Sequence, residues 1–174
     1  MSDFDVPQRI EDFALDMIVH VAEDRFVENS HSVSFDCGDA VLYLIHQDDD
    51  YIYGEGYRQF PPALLFYSKE LRFALNWFIL KCGTYHRETR EMTPVEPIET
   101  GHDESDVANG YEIYRYDSQW TTLGTTGEGE PRLLPVRIFD DGVNGYSNAA
   151  QFSHVCDEEP EALLDLYLDV STTR

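Results

Sequence analysis

Apolar positions along the chain follow two periods, and the changes between them mark out the elements. The densest stretch is Ser68 to Cys82, where Leu71, Ala74, Leu75, Phe78, Ile79 and Cys82 recur at i, i+3, i+4 and i+7. That spacing gathers one wide apolar stripe on a helix, broadened by Phe73 and Trp77, so the segment predicts a buried helix that the rest of the chain wraps. Ser68 is placed to cap it, with Glu70 near its positive end and Lys81 near its negative one. Gly83 either stops this helix or marks close packing, and Thr84 to Met92 carries polar helix formers until Pro94 ends any continuation. Asp5 to Glu23 places Ile10, Phe13, Ala14, Met17, Ile18 and Val21 at helical spacing, with Asp5 and Gln8 at capping-box distance. Pro160 to Val170 predicts a short closing helix with Leu163, Leu164, Tyr167 and Leu168 inward.

Elsewhere the period falls towards two and the residues turn β-branched or aromatic, as strands require. Arg25 to Glu28, Ser32 to Phe35, Ala40 to His46, Tyr51 to Tyr57 and Ala63 to Tyr67 precede the central helix. Tyr111 to Tyr116, Trp120 to Gly124, Leu133 to Phe139 and Ala149 to Val155 follow it. Turn residues separate them, among them Asp36 to Asp39 and Gln47 to Asp50. Residues 93–109, rich in proline and acids and without an apolar period, predict a mobile surface loop between two halves. The fold class is therefore α+β, a single domain spanning residues 1–174 with antiparallel sheet packed around a central helix and a helix near each end.

Charge changes the picture of what this domain can meet. With 34 acidic against 12 basic side chains the formal charge is −22, which argues against binding nucleic-acid phosphates or anionic lipid and favours a basic partner. The imbalance is uneven: residues 61–95 hold 3 acids and 5 bases, whereas residues 96–130 hold 9 acids and 1 base. Cys37, Cys82 and Cys156 are odd in number and widely spaced, which fits a reducing compartment better than a disulfide framework. No apolar run is long enough to span a bilayer and no leader pattern opens the chain, so a cytoplasmic protein is expected.

Chemistry-bearing patterns are thin. The six histidines show no HExxH spacing, and no GxSxG is present. Gly54 and Gly56 lack a third glycine, the glycines from Gly124 to Gly129 lack the lysine of a phosphate loop, and Asp48 to Asp50 do not fit a calcium loop because Ile52 and Tyr53 occupy the places where an acid and a glycine are needed. These patterns point to no catalytic, cofactor or metal site. Tyrosines are more informative: Tyr51, Tyr53 and Tyr57 share one strand, Tyr114, Tyr116 and Trp120 lie in or near another, and each set is core if the helix covers it. If it is open, Asp48, Asp49, Asp50, Tyr51, Tyr53 and Glu55 form a patch of aromatic anchors with an acidic rim, suited to binding a protein. Two other functions compete: an acidic DNA mimic or anti-restriction protein, which needs acids in regular rows whereas here they gather in turns, helix faces and one loop, and a small-ligand domain with a pocket around His154 and Tyr111.

One resemblance narrows the choice. A strand pair, the passage Glu55 to Arg58, a strand feeding a helix with Trp77-Phe-Ile-Leu-Lys-Cys-Gly83, a basic run around Arg87, and Phe152-Ser-His154 followed by Leu163 to Leu168 resemble the immunity proteins related to the immunity factor for tuberculosis necrotizing toxin. The resemblance spans roughly residues 35–170. It implies an antitoxin of α+β fold without enzymatic activity that binds a secreted toxin domain, NAD-degrading in the founding case, and blocks its active site inside the producing cell. Gln59-Phe-Pro-Pro62 and the acidic loop from Thr93 depart from that group.

Overall fold

In the computed structural model, described over residues 6–15, 20–24, 30–36, 40–56, 62–96, 98, 103–127, 129–140 and 147–169, the period-two segments pair into one antiparallel sheet. Its strands are β1 (His20–Asp24), β2 (Ser30–Asp36), β3 (Val41–Gln47), β4 (Asp50–Gly56), β5 (Ala63–Ser68), β6 (Tyr111–Arg115), β7 (Trp120–Thr125) and β8 (Val136–Phe139). The helices are α1 (Gln8–Leu15), α2 (Leu71–Thr89), α3 (Asn148–Ser153) and α4 (Pro160–Leu168). Spatial order is β1-β2-β3-β4-β5-β8-β7-β6, so two meanders meet where β5 pairs with β8 through Phe66↔Ile138, Tyr67↔Arg137 and Ser68↔Val136.

Alternation along each strand sorts side chains to two faces. Leu44 opposite Tyr53, Tyr53 opposite Phe66 and Phe66 opposite Ile138 fall on the face that α2 and α3 cover, and they join the helices' buried residues in one core. Trp77 anchors that core, stacked on Phe66 with ring centroids 4.9 Å apart and tilted against Phe152 at 5.6 Å. Burying each such side chain contributes about 2–3 kcal/mol. On the opposite face Tyr43, Ile45 and Ile52 form a second apolar cluster with Val41, Leu64 and Tyr67, all of them strand residues.

Several elements differ from their sequence-based expectation. Among the described residues the amphipathic run from Asp5 to Glu23 is helical over Gln8–Leu15, and its end forms β1, paired with β2 from His20↔Asp36 to Asp24↔Ser32. Ala149 to Val155 is helical and not a strand: α3 spans Asn148–Ser153, with the Ser147 hydroxyl accepting the Ala150 N–H at 3.1 Å. The Asp140 carboxylate accepts from the Ser147 hydroxyl and the Ala149 N–H, fixing that helix start to the end of β8. Ser68 closes β5 and accepts the Glu70 N–H through its hydroxyl, while α2 continues through Gly83 to Thr89. In the connection after α2, Ile98 is buried and Glu104–Asp106 form an exposed 3-10 turn. Arg25 to Glu28 and Tyr57 lie outside the described residues.

Candidate functional site

The six residues expected to meet a partner separate into two environments. Gln47 pairs with Asp50 across a tight turn, so Asp48 and Asp49 project at the tip of the β3–β4 hairpin and are exposed. Asp48 takes a left-handed backbone (φ 54°), a conformation that aspartate tolerates better than most residues. Asp50 pairs with Lys69 at 3.0 Å. Tyr51, Tyr53 and Glu55 face the helices instead. Tyr53 has no exposed surface and belongs to the core, its hydroxyl donating to the Glu55 carboxylate at 2.7 Å; Tyr51 is half-buried and stacked on His46 with centroids 4.6 Å apart.

Behind Glu55 lies a half-buried cation. Lys81 donates to Asn148 at 2.9 Å and Gln151 at 3.3 Å and sits 4.6 Å above the Trp77 ring. Burial pushes its pKa down to about 8, partly opposed by Glu55 and Asp140. Asn76 crosses the same interface, its amide donating to the carbonyls of Val155 (2.9 Å) and Glu158 (2.8 Å). These polar groups fasten α2 to the segment around α3.

The open face of the sheet carries the second tyrosine set. Tyr67 meets Trp120 edge-on at 5.4 Å, Trp120 meets Phe139 edge-on at 5.5 Å, and the Arg137 guanidinium lies 4.8 Å over the Tyr67 ring. Tyr116 is 54% exposed beside them. A cleft of about 280 Å³ opens here, its lining including Asp50, Tyr67, Lys69, Tyr116, Pro135 and Arg137, so Asp50 of the acidic hairpin and the aromatics Tyr67 and Tyr116 border one surface. Aromatics and arginine around a cleft are the composition of energetically dominant contact sites between proteins.

Near the other end of the sheet Tyr111 donates its hydroxyl to Asp157 at 2.7 Å, and burial raises its pKa. Burial likewise pushes the Cys156 thiol up to about 11, so it stays protonated and unreactive. His154 does not line the groove beside Tyr111, since its Nε2 bonds the Asp106 carbonyl at 2.7 Å, and Ser153 is held by Ala108 and Ala150. Among the described residues no three His, Cys, Asp or Glu side chains stand close enough to hold a metal ion, and no helix is long and apolar enough to cross a membrane.

A family model described as immunity protein 61 matches residues 21–172, nearly the full length of the chain. The chain belongs to the immunity protein 61 family. No curated protein matches its sequence. Among solved structures, this immunity protein 61 member is similar to Rv3902c from M. tuberculosis, with a TM-score of 0.68 at 13% identity over 97% of this chain and 91% of that one. At that identity the likeness shows the shared fold.

In this immunity protein 61 member the hairpin tip is visible in the sequence as an acidic turn, but the meeting of Tyr67, Lys69, Phe139 and Arg137 is not. Their convergence depends on β5 pairing with β8, residues 68 positions apart in the chain (Ser68↔Val136). The alternation within each strand was the available signal, because it already places Tyr67 opposite Phe66 and Arg137 opposite Ile138.

Proposed function

We propose that this protein is an antitoxin that inhibits a cognate toxin domain by stoichiometric occlusion and turns over no substrate. The match to an immunity family over residues 21–172 carries this reading. The resemblance of the Glu55–Arg58 and Trp77–Gly83 passages to the group that includes the tuberculosis necrotizing toxin's immunity factor points to an NAD-degrading toxin. A charge of −22 supports a basic partner met inside the producing cell, because opposite charge speeds the encounter that a self-protecting inhibitor depends on. In this reading the exposed Asp48 and Asp49, with Asp50, steer the partner onto the aromatic cleft, and Tyr51 and Glu55 act from behind the sheet by holding β4 in place.

Co-expression tests it. A toxin domain encoded beside this chain is produced with and without it, and survival, co-purification and cellular NAD are followed. Rescue with a one-to-one complex and preserved NAD is the expected result; equal killing in both cultures with nothing co-purifying would reject the reading for that pair.

A further inference from the structure

β6 ends the sheet: β7 pairs along one side of it, and among the described residues no strand pairs along the other. The direction of its backbone groups follows from two bonds. Tyr116 N–H donates to the Trp120 carbonyl at 2.8 Å and Thr126 N–H to the Gly110 carbonyl at 2.8 Å, which assigns the even-numbered residues of β6 to the β7 ladder. The odd-numbered ones therefore point outward. Tyr111 N–H is taken by the Ala108 carbonyl, leaving the Tyr111 carbonyl and the N–H and carbonyl groups of Ile113 and Arg115 along the free side.

A groove of about 330 Å³ runs beside that row, lined by Glu104, Val107, Tyr111, Glu112 and Ile113. Its strand lining is three consecutive residues, Tyr111, Glu112 and Ile113, which suits a groove along the edge, since neighbouring side chains face opposite sides of the sheet. Its charge is acidic. Glu104, paired with Arg115, and Glu112, which accepts the Tyr114 hydroxyl at 3.1 Å, flank it, Asp103 and Asp106 adjoin it, and Arg115 is the one base in residues 96–130. Natural sheets usually shield such an edge with lysine, proline or a covering element. Here the edge is bordered by acids, which would repel a second copy of this chain, itself carrying −22, and attract a cationic strand.

We propose that the free edge of β6 is a docking site for an extended, lysine- or arginine-bearing segment of the toxin domain, which adds to the sheet as a further strand. The inference rests on the antitoxin reading above and names the backbone that takes the partner. Main-chain pairing supplies affinity without demanding a particular side chain, and the acids select a basic segment.

The test uses the full chain and the toxin domain encoded beside it. Amide hydrogen exchange by NMR, free and in complex, should show Ile113 and Arg115 protected on binding. Arg115→Pro removes an outward N–H while sparing the β7 ladder, and its complex should be about tenfold weaker than that of Arg115→Ala, which loses the same ion pair to Glu104 but keeps the N–H. Thermal midpoints of both variants establish that they fold; should the proline variant fail to fold, Glu112→Lys takes its place and should weaken binding several-fold, most at low salt. A complex in which both amides exchange as freely as in the isolated protein would overturn this inference and leave the antitoxin reading standing. Absence of any complex would overturn both. Self-association through β6 in place of toxin binding, seen as a concentration-dependent dimer that Arg115→Pro dissolves, would also overturn it.

Discussion

A single buried guanidinium shows how one side chain can close a fold. Arg87 is 1% exposed, and its Nε and Nη2 donate to the Thr93 carbonyl at 2.8 and 2.6 Å while Nη1 reaches Tyr167 and Asp169 carbonyls at 3.0 and 3.2 Å. It thereby holds the end of α2 to the connection that follows it and to the end of α4. Arg87→Lys keeps the charge and loses the planar fork, so a loss of about 2–3 kcal/mol in urea unfolding is expected; a loss below 0.5 kcal/mol would show that the carbonyls are served by water. Lys81 makes a prediction with a sign. Its folded pKa of about 8 lies below the ordinary lysine value of 10.5, so between those values the unfolded chain holds a proton that the folded one has released. Stability attributable to this residue therefore rises with pH across that window and is lowest below it. The melting temperature of the wild type should gain on that of Lys81→Met between pH 8 and pH 10, and a constant difference would refute the assignment. Neither role was legible in the sequence, where Arg87 was one of a basic run and Lys81 a charge at a helix end, because burial by α3 and α4 depends on contacts about 70 to 80 residues away.

Among the elements, α2 and the strands β3 to β7 were legible because their periods are long and unbroken. Two segments depart from their apparent periods for opposite reasons. Residues 148–153 are too few to display a helical period, and the deciding signal was local: Ser147 followed by Asn148, Ala149 and Ala150 is a capped helix start. Residues 5–23 carry a helical period too well, since Val21 fits it yet lies in β1, where pairing with β2 overrides local preference. Gly83 is a third case. A β-carbon built there would lie 2.4 Å from the Tyr167 ring, so the glycine is the point where α4 presses onto α2. Gly83→Ala would gain about 1 kcal/mol of helix propensity and lose more through the displaced ring. Net destabilisation of about 2 kcal/mol is expected in chemical unfolding; a stabilised variant would mean that α4 stands off from α2.

At the scale of the molecule the field is dominated by acids, and the hairpin tip is where its contribution can be isolated. Asp50 is engaged with Lys69, so the informative changes are Asp49→Lys, on an exposed side chain, and Asp48→Asn, which suits the left-handed backbone. Together they should slow association with a basic toxin domain by roughly three- to tenfold at low salt while leaving dissociation nearly unchanged, and the difference should fade as salt is raised. Stopped-flow traces with an unaltered on-rate would remove the tip from the encounter surface. The order of strands has a consequence during synthesis. β5 leaves the ribosome with its outer side bare, and its partner Val136 is 68 residues further along the chain from Ser68. At about 5–20 residues per second that interval lasts roughly 3–14 s, in which Lys69 and Glu70 are the charges standing guard beside Phe66 and Tyr67. A nascent chain stalled in that window offers a sticky half-sheet to its neighbours on the same polysome, so yield in a cell should respond to the pace of translation across residues 70–135 more than to the stability of the finished protein.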